Sequence, residues 1–335
     1  MSEKNYYGFS DFNNKITMAK QENEKWTDAG FFSTKKPRYS PAASCIGYSN
    51  YLFEGCKGFI GNGGKIYLHR PDEHYGRMQV SAAKIAMPKI PYNLFKKSMK
   101  MVVKKFTDTI PNDVHGFLYL QPRLLESTDS FNPYSNENYD FVVLSAPAIS
   151  NPESCLTVYV ETDSCKVTKG GTGFAKIASN YVQTRGPENK ARLLGYDTVL
   201  WLDLNAKFIE EFSTLTFAVL IDGVLCSPRP NGNIIDSITR RTLLAIAEDN
   251  KIPTSDSQIA ITNLVQSIEK RQDVVIVGCS TAKNIIAVKK FRYGNQVFEF
   301  PNANEHPLFN KLRDKLWAVN RGEYLPKLTV DFKLW

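Results

Sequence analysis

The stretch Lys169-Gly-Gly-Thr-Gly-Phe-Ala-Lys176-Ile-Ala-Ser-Asn-Tyr181 places one lysine after a glycine-rich run and a tyrosine five residues further on. Three glycines within four positions are typical of a backbone that turns tightly or approaches a ligand closely. The small residues around Lys176 leave few groups to solvate its ammonium, and a poorly solvated lysine more readily becomes the neutral amine that attacks a carbonyl carbon. The pattern therefore predicts a Schiff-base lysine at position 176, with an ordinary solvated lysine as the alternative.

This run resembles the Gly-Gly-Thr-Gly-x-x-Lys-x-Gly-Gly-Asn-Tyr segment of branched-chain amino-acid aminotransferases, which are pyridoxal phosphate enzymes of fold type IV. Further matches follow in the same order along most of the chain. The resemblance implies a two-domain α/β (α+β) protein with a smaller N-terminal and a larger C-terminal domain. It also implies pyridoxal 5′-phosphate as cofactor, Lys176 as the catalytic residue, and Tyr181 as a hydrogen-bond partner of the phenolic oxygen of the cofactor.

Composition fits such an enzyme. At 335 residues the chain is long enough for two domains, and 42% hydrophobic with 23% charged residues is typical of a globular protein. Its longest apolar runs fall short of the ~18 residues that a membrane span needs, and the polar start lacks a signal peptide, so we expect a cytoplasmic location and no membrane partner. The net charge of +8 is interleaved with acids, which favours anionic small molecules over nucleic acid. Six cysteines without a Cys-x-x-Cys spacing and four scattered histidines predict free thiols and no metal site.

Two motifs in the N-terminal half carry further predictions. A segment from Tyr48 through Phe53-Glu-Gly resembles the family segment whose aromatics line the substrate pocket, so Tyr48 and Phe53 are expected to bind substrate, with core packing as the alternative. A predicted hairpin turn, Gly61-Asn-Gly-Gly64, follows. The helix predicted at 72–87 contains Arg77-Met-Gln-Val-Ser-Ala, similar to the family motif whose arginine binds the cofactor phosphate; an exposed helical arginine is the alternative.

The strand predicted from Gly116 departs from the family at one position. A helix is predicted before it at 92–106, from apolar residues at the 3, 4 period. The family has Leu-Tyr-x-Arg-Pro here, with the tyrosine on the α-carboxylate and the arginine on the distal carboxylate of glutamate. This chain keeps Tyr119 but has Gln121 at the arginine position, followed by Arg123. We therefore expect all three to bind substrate, and glutamate either to be a poor donor or to be recognised differently, with Arg123 as one possible replacement.

Domain bounds are predicted from turn-forming residues. Small and polar residues with two prolines separate the β-rich runs 141–144 and 156–160, so the N-terminal domain is expected at 1–147, the linker at 148–155 and the C-terminal domain at 156–335. A strand at 198–202, a hairpin turn at Asp222-Gly223 and an amphipathic helix at 307–319 are predicted within the last of these.

The C-terminal half supplies the remaining cofactor residues. Glu211 matches the family glutamate that pairs with the pyridine nitrogen, beside Glu210 as the neighbour with which it could be confused; an exposed strand residue is the alternative. A helix is predicted to open near Asp236-Ser237, and a helix N-terminus favours anions. The segment resembles Pro-Gly-Ile/Val-Thr-Arg of the family, which implies that the backbone of Ile238 and Thr239 binds the cofactor phosphate, with Asp236 adding a negative charge. The turn Ser280-Thr281-Ala282 resembles Gly-Thr-Ala of the family, which implies that Ser280 and Thr281 bind cofactor and that Ala282 meets the substrate.

These matches favour an aminotransferase that acts on an L-amino acid with an apolar, branched-chain-like side chain and a 2-oxo acid. Homodimerisation is the family expectation. The departures at 121, 178–179, 236–237 and 280 keep open a lyase or elimination reaction on an unusual amino acid, in a specialised biosynthetic role. A catalytically degenerate binding protein is disfavoured, because Lys176, Tyr181, Arg77 and Glu211 are all present.

Overall fold

A computed structural model describes residues 13, 15–34, 39–61, 64, 66–135, 137–324 and 326. The chain forms two compact units, and each is built on its own sheet. The first unit takes the described residues up to Ser150 together with Ala175–Ser179, and the second takes Asn151–Phe174 and the described residues from Asn180 onward. The segment that holds Lys176 lies within the domain predicted at 156–335, but it groups with the first unit.

The sheet of the first unit is antiparallel and has the order β2-β1-β8-β7-β5-β6, with β3 paired to β1 and β4 paired to β7. Its eight strands are β1 (Lys15–Glu22), β2 (Lys25–Trp26), β3 (Gly30–Ser33), β4 (Tyr51–Phe53), β5 (Cys56–Ile60), β6 (Ile66–Leu68), β7 (Gly116–Glu126) and β8 (Tyr139–Ile149). The helices are α1 (Ser44–Gly47), α2 (Pro71–Lys84) and α3 (Tyr92–Phe106).

Helix α3 covers one face of this sheet. It has the predicted bounds, and the residues expected on its apolar face, such as Phe95 and Met99, are fully buried. The Phe95 ring lies 6.1 Å from that of Phe141 on β8. Helix α2 begins with Pro71 and ends at Lys84, three residues before the predicted end. Strands β5 and β6 form the expected antiparallel pair, but Asn62 and Gly63 of the predicted turn lie outside the described residues.

Strand β8 is longer than the sequence indicates. It continues through the small residues after Leu144 to Ile149, into the predicted linker, and β7 pairs with it along its whole length. Pro147 has no N–H to donate, which normally excludes proline from a central strand. Among the described residues β1 pairs only with residues 139–143, so that within this part of the chain Pro147 has a neighbouring strand on one side, which tolerates the missing N–H.

The second unit holds a mixed sheet of nine strands in the order β11-β10-β9-β16-β15-β12-β13-β14, with β17 on β16. The strands are β9 (Cys155–Glu161), β10 (Thr198–Leu202), β11 (Ile209–Phe212), β12 (Thr216–Ile221), β13 (Val224–Ser227), β14 (Thr254–Asp256), β15 (Val274–Ser280), β16 (Asn284–Tyr293) and β17 (Gln296–Glu299). The helices are α4 (Ser179–Val182), whose first residue belongs to the first unit, α5 (Arg185–Leu193), α6 (Ile238–Asp249), α7 (Ile261–Glu269) and α8 (Pro307–Asn320).

Several local predictions for this unit are confirmed. Strand β10 has the predicted bounds, and α8 exceeds its prediction by one residue. Asp222 and Gly223 both have positive φ and join β12 to β13 as the predicted hairpin turn.

All six cysteines lie in described ranges, and none forms a disulfide. Among the residues described, no helix is long and apolar enough to cross a membrane.

Candidate active site

Backbone hydrogen bonds fix the segment that carries Lys176 to the first unit. The Phe53 amide donates to the Lys176 carbonyl at 3.0 Å, and the Ala178 amide donates to the Tyr51 carbonyl at 3.1 Å, so the segment runs along β4. The Lys176 side chain is half-buried, and its Nζ lies 4.8 Å from the centroid of the Phe53 ring. The Lys176 amine is therefore held against an aromatic face in a half-buried position.

The glycine run and Asn180 shape the loop on either side of this segment. Gly170 has φ +81°, and a Cβ on Gly173 would lie 1.8 Å from the carbonyl oxygen of Asn233, so both positions need glycine. Thr172 Oγ1 donates to Asn180 Oδ1 at 2.6 Å, and Asn180 Nδ2 donates back to the Thr172 carbonyl at 2.8 Å. The threonine and asparagine of the motif are therefore joined by two hydrogen bonds that hold this loop of the second unit together.

Arg77 is held by a buried carboxylate. Its Nε and Nη2 donate to Glu54 Oε1 and Oε2 at 2.6 and 2.8 Å, and His74 Nδ1 lies 2.8 Å from the same Oε2. Burial raises the pKa of the Glu54 carboxyl, but the guanidinium and the imidazole outweigh burial and hold that pKa well below its usual range. Glu54 is therefore ionised and fixes the guanidinium plane. These two hydrogen bonds use two of the five N–H donors of a guanidinium.

Ser81 links Arg77 to Lys176. Its buried Oγ donates to the Arg77 carbonyl at 3.0 Å and accepts from the Lys176 amide at 2.9 Å. The two predicted site residues, 99 positions apart in sequence, thus share one hydroxyl group. The sequence motif contains Ser81 but does not by itself indicate this role.

The two predicted aromatic residues occupy different places. Phe53 lies beside Lys176, as a pocket residue would. Tyr48 follows the last residue of α1, has 41% of its surface exposed, and donates its hydroxyl to the Phe131 carbonyl at 2.6 Å. Tyr48 therefore lies at an exposed edge of the first unit, which excludes the alternative of core packing.

Three predicted substrate residues share one face of β7. Tyr119, Gln121 and Arg123 are half-buried, while the intervening Leu120 and Pro122 are buried on the opposite face. Alternation is therefore undisturbed by the proline. Both Nε and Nη2 of Arg123 donate to Gln121 Oε1, the first at 2.8 Å.

Tyr119 fits closely over Gly55. A Cβ at Gly55 would lie 2.2 Å from the Tyr119 hydroxyl oxygen. The glycine of the Phe-Glu-Gly motif therefore makes room for the phenol that the sequence assigned to the substrate carboxylate.

In the second unit a buried ammonium holds the predicted ring-nitrogen partner. Lys166 Nζ donates to Glu211 Oε1 at 2.7 Å and to the Ser213 carbonyl at 3.3 Å, and it lies 6.0 Å from the centroid of the Tyr181 ring. Burial lowers the pKa of Lys166, but Glu211 and Tyr181 outweigh burial and raise that pKa above its ordinary value. Lys166 is thus a fixed cation, which is why this second lysine is unsuited to nucleophilic attack.

Neighbouring Glu210 belongs to a different environment. Adjacent strand residues point to opposite faces, so the Glu210 side chain lies on the other face of β11 from Glu211. Its Oε1 accepts a hydrogen bond from Asn233 Nδ2 at 2.8 Å. Burial raises the pKa of Glu210 from 4.5 to about 7, and the charge on Glu211 adds to the rise. Of the two glutamates, Glu211 is therefore the one that shares its surroundings with Tyr181.

Helix α6 presents its N-terminus as predicted. Ser237, rather than Asp236, is the N-cap, and its Oγ accepts from the Arg240 amide at 3.2 Å. Ile238 and Thr239 form the first turn, where backbone N–H groups lack acceptors within the helix and favour anions. The added charge of Asp236 is offset in part, because its Oδ1 lies 3.6 Å from Arg241 Nε.

The turn after β15 adjoins this helix end. Ser280 Oγ accepts from the Lys283 amide at 3.1 Å, which closes the turn that holds Thr281 and Ala282. The preceding Cys279 thiol faces Ser237 and Arg240, so the turn and the α6 N-terminus are neighbours. Burial lowers the pKa of Lys283 from 10.5 to about 8. Helix α6 packs against β15, so the turn that carries Ser280 and Thr281 follows a strand that adjoins the helix carrying Ile238 and Thr239.

The sequence missed the residues that support these groups. Lys166, Glu54 and His74 are the main ones, and none stands at a spacing that distinguishes it from a surface residue. Glu54 stands within the Phe-Glu-Gly motif, but that motif does not by itself indicate that the carboxylate binds Arg77. Among the described residues, no group of three or more His, Cys, Asp and Glu side chains is arranged to hold a metal ion.

Comparison with known proteins adds a family to this geometry. The model of the family "Amino-transferase class IV" matches residues 51–291. A probable branched-chain-amino-acid aminotransferase of Staphylococcus epidermidis is 27% identical over 320 residues, which are 94% of this chain and 88% of the relative.

Two solved structures have a similar fold. The branched-chain amino acid aminotransferase from Escherichia coli has a TM-score of 0.76 at 17% identity, over 94% of this chain and 97% of its own. The branched-chain amino acid aminotransferase from Thermobaculum terrenum, solved in its PLP-form (holo-form), has a TM-score of 0.74 at 19% identity, over 94% of this chain and 96% of its own.

Proposed function

Because the chain belongs to the amino-transferase class IV family, we propose that it is a pyridoxal 5′-phosphate-dependent aminotransferase acting on an L-amino acid with an apolar, branched-chain-like side chain. The amino group and a hydrogen pass to a 2-oxo acid, and an oxygen passes the other way. The family, the type IV fold and the class of enzyme predicted from the sequence are confirmed.

The observation that carries this proposal is the convergence of Lys166, Tyr181 and Glu211. The ammonium of Lys166 donates to Glu211 and holds its carboxyl group in place, and a carboxylate is what a protonated ring nitrogen needs as its partner. The Tyr181 hydroxyl is the donor for the phenolic oxygen of the cofactor. When bound, the cofactor supplies an electron sink for the carbanion that remains when the α-proton leaves.

The other residues are assigned by their surroundings. In the second unit, the first turn of α6 and the hydroxyls of Ser280 and Thr281 bind phosphate, and Ala282 contacts the substrate. In the first unit, Arg77 contributes a guanidinium whose plane is set by Glu54. Lys176 Nζ would hold the cofactor, and it would move the proton at the substrate Cα as general base and acid.

An apolar substrate side chain is supported by two observations. The curated relatives and solved neighbours are named as branched-chain aminotransferases. In the first unit, the face of β7 that carries Tyr119 adjoins a cluster of apolar residues, Met18, Ala43, Cys45, Leu125 and Val142, packed by Tyr51 and Leu144. Apolar surroundings beside Tyr119 suit an aliphatic substrate side chain.

Homodimerisation and a cytoplasmic location are part of the same proposal. Phe131 and Tyr134 have 92% and 82% of their surfaces exposed, and Tyr48 beside Phe131 is also exposed. Exposed aromatic patches of this kind mark protein interfaces, which favours a second copy of the chain with Tyr48 near its pocket. Sedimentation equilibrium measures the assembly directly.

The test of the function uses purified protein loaded with pyridoxal phosphate. Borohydride reduction followed by peptide mass spectrometry should place the cofactor mass on Lys176 and not on Lys166. Leucine, isoleucine and valine with 2-oxoglutarate should then yield their 2-oxo acids. Lys176→Ala should lose both the label and turnover, while Lys169→Ala, at an exposed position of the same loop, should keep them.

Each contrary result has a definite meaning. Release of ammonia or a chain-cleaved product would replace transamination by a lyase reaction. A label on another lysine, or full turnover by Lys176→Ala, would contradict the assignment of the catalytic residue. Absence of any covalently bound cofactor after reduction would contradict the proposal that the protein is a pyridoxal phosphate-dependent enzyme.

A further inference from the structure

A cavity of about 340 Å³ lies within the second unit, between the end of α7, the first residues of β15 and the segment that leads into α8. Part of its lining is apolar and includes Val274, Val275, Val288 and Phe300. Its volume is at the lower end of the ~300–1,000 Å³ that small-molecule sites occupy. The cavity therefore suits a small ligand that has an apolar part.

The loop before β15 is held by the hairpin turn between β12 and β13. The Asp273 amide donates to Asp222 Oδ1 at 3.0 Å, and Gln272 Nε2 donates to Asp222 Oδ2 at 2.6 Å. In return, the Asp222 amide donates to the Asp273 carbonyl at 2.9 Å. These three hydrogen bonds fix the loop that carries the polar part of the lining.

This loop gives the cavity one cation and one anion. Arg271 is exposed, and within the described ranges no carboxylate forms an ion pair with it. Asp273 Oδ2 lies 2.9 Å from His306 Nε2, while His306 Nδ1 accepts from the Phe309 amide at 3.2 Å. A ring nitrogen that accepts carries no proton, so the imidazole that makes both contacts is neutral and donates from Nε2. His306 therefore orients Asp273 without neutralising its charge.

The other carboxylate of the lining already has a cation. Glu299 Oε1 lies 3.5 Å from Lys290 Nζ on the neighbouring strand. Arg271 and Asp273, two positions apart, are therefore the charges that a ligand can meet. A carboxylate suits the guanidinium, an ammonium group suits Asp273, and an aliphatic group suits the apolar lining. An α-amino acid carries all three groups.

The cavity is separate from the turn assigned to the cofactor phosphate. Val274 is the first residue of β15 and Ser280 is the last. At about 3.3 Å per residue, roughly 20 Å lie between the two ends of this strand. Val288 lies on β16, which returns from the turn and pairs with β15. A ligand in the cavity therefore uses residues that the turn does not.

Going beyond the proposed function, we propose that this cavity is a second site, which binds an α-amino acid with an aliphatic side chain. The ligand carboxylate pairs with Arg271 and its ammonium group pairs with Asp273. Its side chain packs against the valines of β15 and β16. Binding is non-covalent and uses no cofactor.

The experiment is a ligand-detected NMR titration of the pyridoxal phosphate-loaded protein after borohydride reduction, so that the amine of Lys176 is no longer free. Leucine is compared with 4-methylpentanoate, which lacks the ammonium group, with 3-methylbutylamine, which lacks the carboxylate, and with glycine, which lacks the side chain. Leucine should bind at least about 3-fold more tightly than each of the other three, because exposed ion pairs contribute up to about 1 kcal/mol, or 5-fold.

Two variants locate the binding. Arg271→Met should weaken leucine about 3- to 5-fold and leave 3-methylbutylamine unchanged. Asp273→Asn keeps an acceptor for His306 but removes the charge, so leucine and 4-methylpentanoate should then bind about equally. Arg192→Met, which removes an exposed arginine on α5, is the control and should leave all affinities unchanged.

The contrary outcomes are distinct. Leucine binding that neither variant alters would assign the ligand to another site and overturn the proposal, as would the absence of saturable binding. Equal binding of leucine and 4-methylpentanoate to the unsubstituted protein would exclude the role of Asp273. A protein to which reduction attaches no cofactor would contradict the proposed function alone, because the same titrations can be made on the protein as purified.

Discussion

Replacing Lys166 by methionine removes the ammonium that holds Glu211. Lys166 Nζ and Glu211 Oε1 are 2.7 Å apart, and the two side chains are 8% and 6% exposed. At that separation, with an effective dielectric constant of about 20, the attraction is about 6 kcal/mol, part of which offsets the desolvation of both ions. The substitution leaves Glu211 buried without a cation, so we expect the free energy of unfolding to fall by about 3–5 kcal/mol.

Urea denaturation of a double-mutant cycle measures this pair. Lys166→Met, Glu211→Gln and the double variant are unfolded without cofactor, and the double variant should recover about 2–3 kcal/mol relative to the sum of the single losses. Lys166→Arg keeps the charge and serves as the control. Additivity of the two single variants within about 0.5 kcal/mol would show that the two groups do not interact and would refute this reasoning.

The pH dependence of the pair has a definite sign. Because the folded-state pKa of Lys166 is raised above 10.5, its contribution to stability is fully present below pH 10.5 and is lost only as the pH rises through the higher, folded-state value. The difference between wild type and Lys166→Met should therefore stay constant from pH 7 to about 10. A difference that vanished within that range would contradict the assignment of a charged lysine.

Three further substitutions test other parts of the structure. Glu54→Gln removes a buried carboxylate shared by a guanidinium and an imidazole, so thermal melting near pH 7 should show a loss of about 3 kcal/mol in stability. This loss should shrink as the pH falls below 4.5, because Glu54 then takes up a proton in the unfolded chain while it stays ionised in the folded one. An unchanged Tm would contradict the network. Folding raises the pKa of Glu210 from 4.5 to about 7, so between these pH values folded Glu210 keeps a proton that the unfolded chain releases. The free energy of unfolding measured in urea should therefore fall from pH 4.5 to 7, and Glu210→Gln should reduce this dependence. Equal dependence of stability on pH in the two proteins would exclude the raised pKa. Gly173→Ala brings a Cβ to 1.8 Å from the Asn233 carbonyl and should lower stability and cofactor affinity, whereas Gly186→Ala, with no atom within 4 Å, should be harmless; equal melting temperatures would refute the close packing.

Regular elements with a strong pattern could be predicted from the sequence. Helix α3 and strand β10 have the expected bounds because their apolar residues repeat at the helical period or form one buried run. Strand β1 was not recognised within the polar first 30 residues, since it offers only Ile16, Met18 and Ala19 as apolar residues among polar ones. Its place in the sheet comes from backbone pairing with β8, which composition does not record.

The residues of the candidate site likewise fall into those that the sequence could locate and those that it could not. Residues set by a local motif, such as Ser237 at a helix start or Gly173 in a glycine run, could be located because their reason lies within a few positions. The surroundings of Glu210 and Glu211 could not be told apart, since one residue of register decides which face each occupies. Lys166 was missed because its meaning depends on Glu211, 45 positions away.

The buried lysines and arginines show why Arg123 differs from the rest. Among the described residues, those that are buried are Lys57, Arg70, Lys166 and Arg240. Three of these pair with a carboxylate, and Lys57 lies over an aromatic ring, so each has its charge compensated within the fold. Arg123 has a neutral amide in that place, although a glutamate at position 121 would have neutralised it at no change in chain length. The charge of Arg123 is therefore compensated differently from those of the four buried cations, although Arg123 lies opposite Phe53, whose ring contacts Lys176.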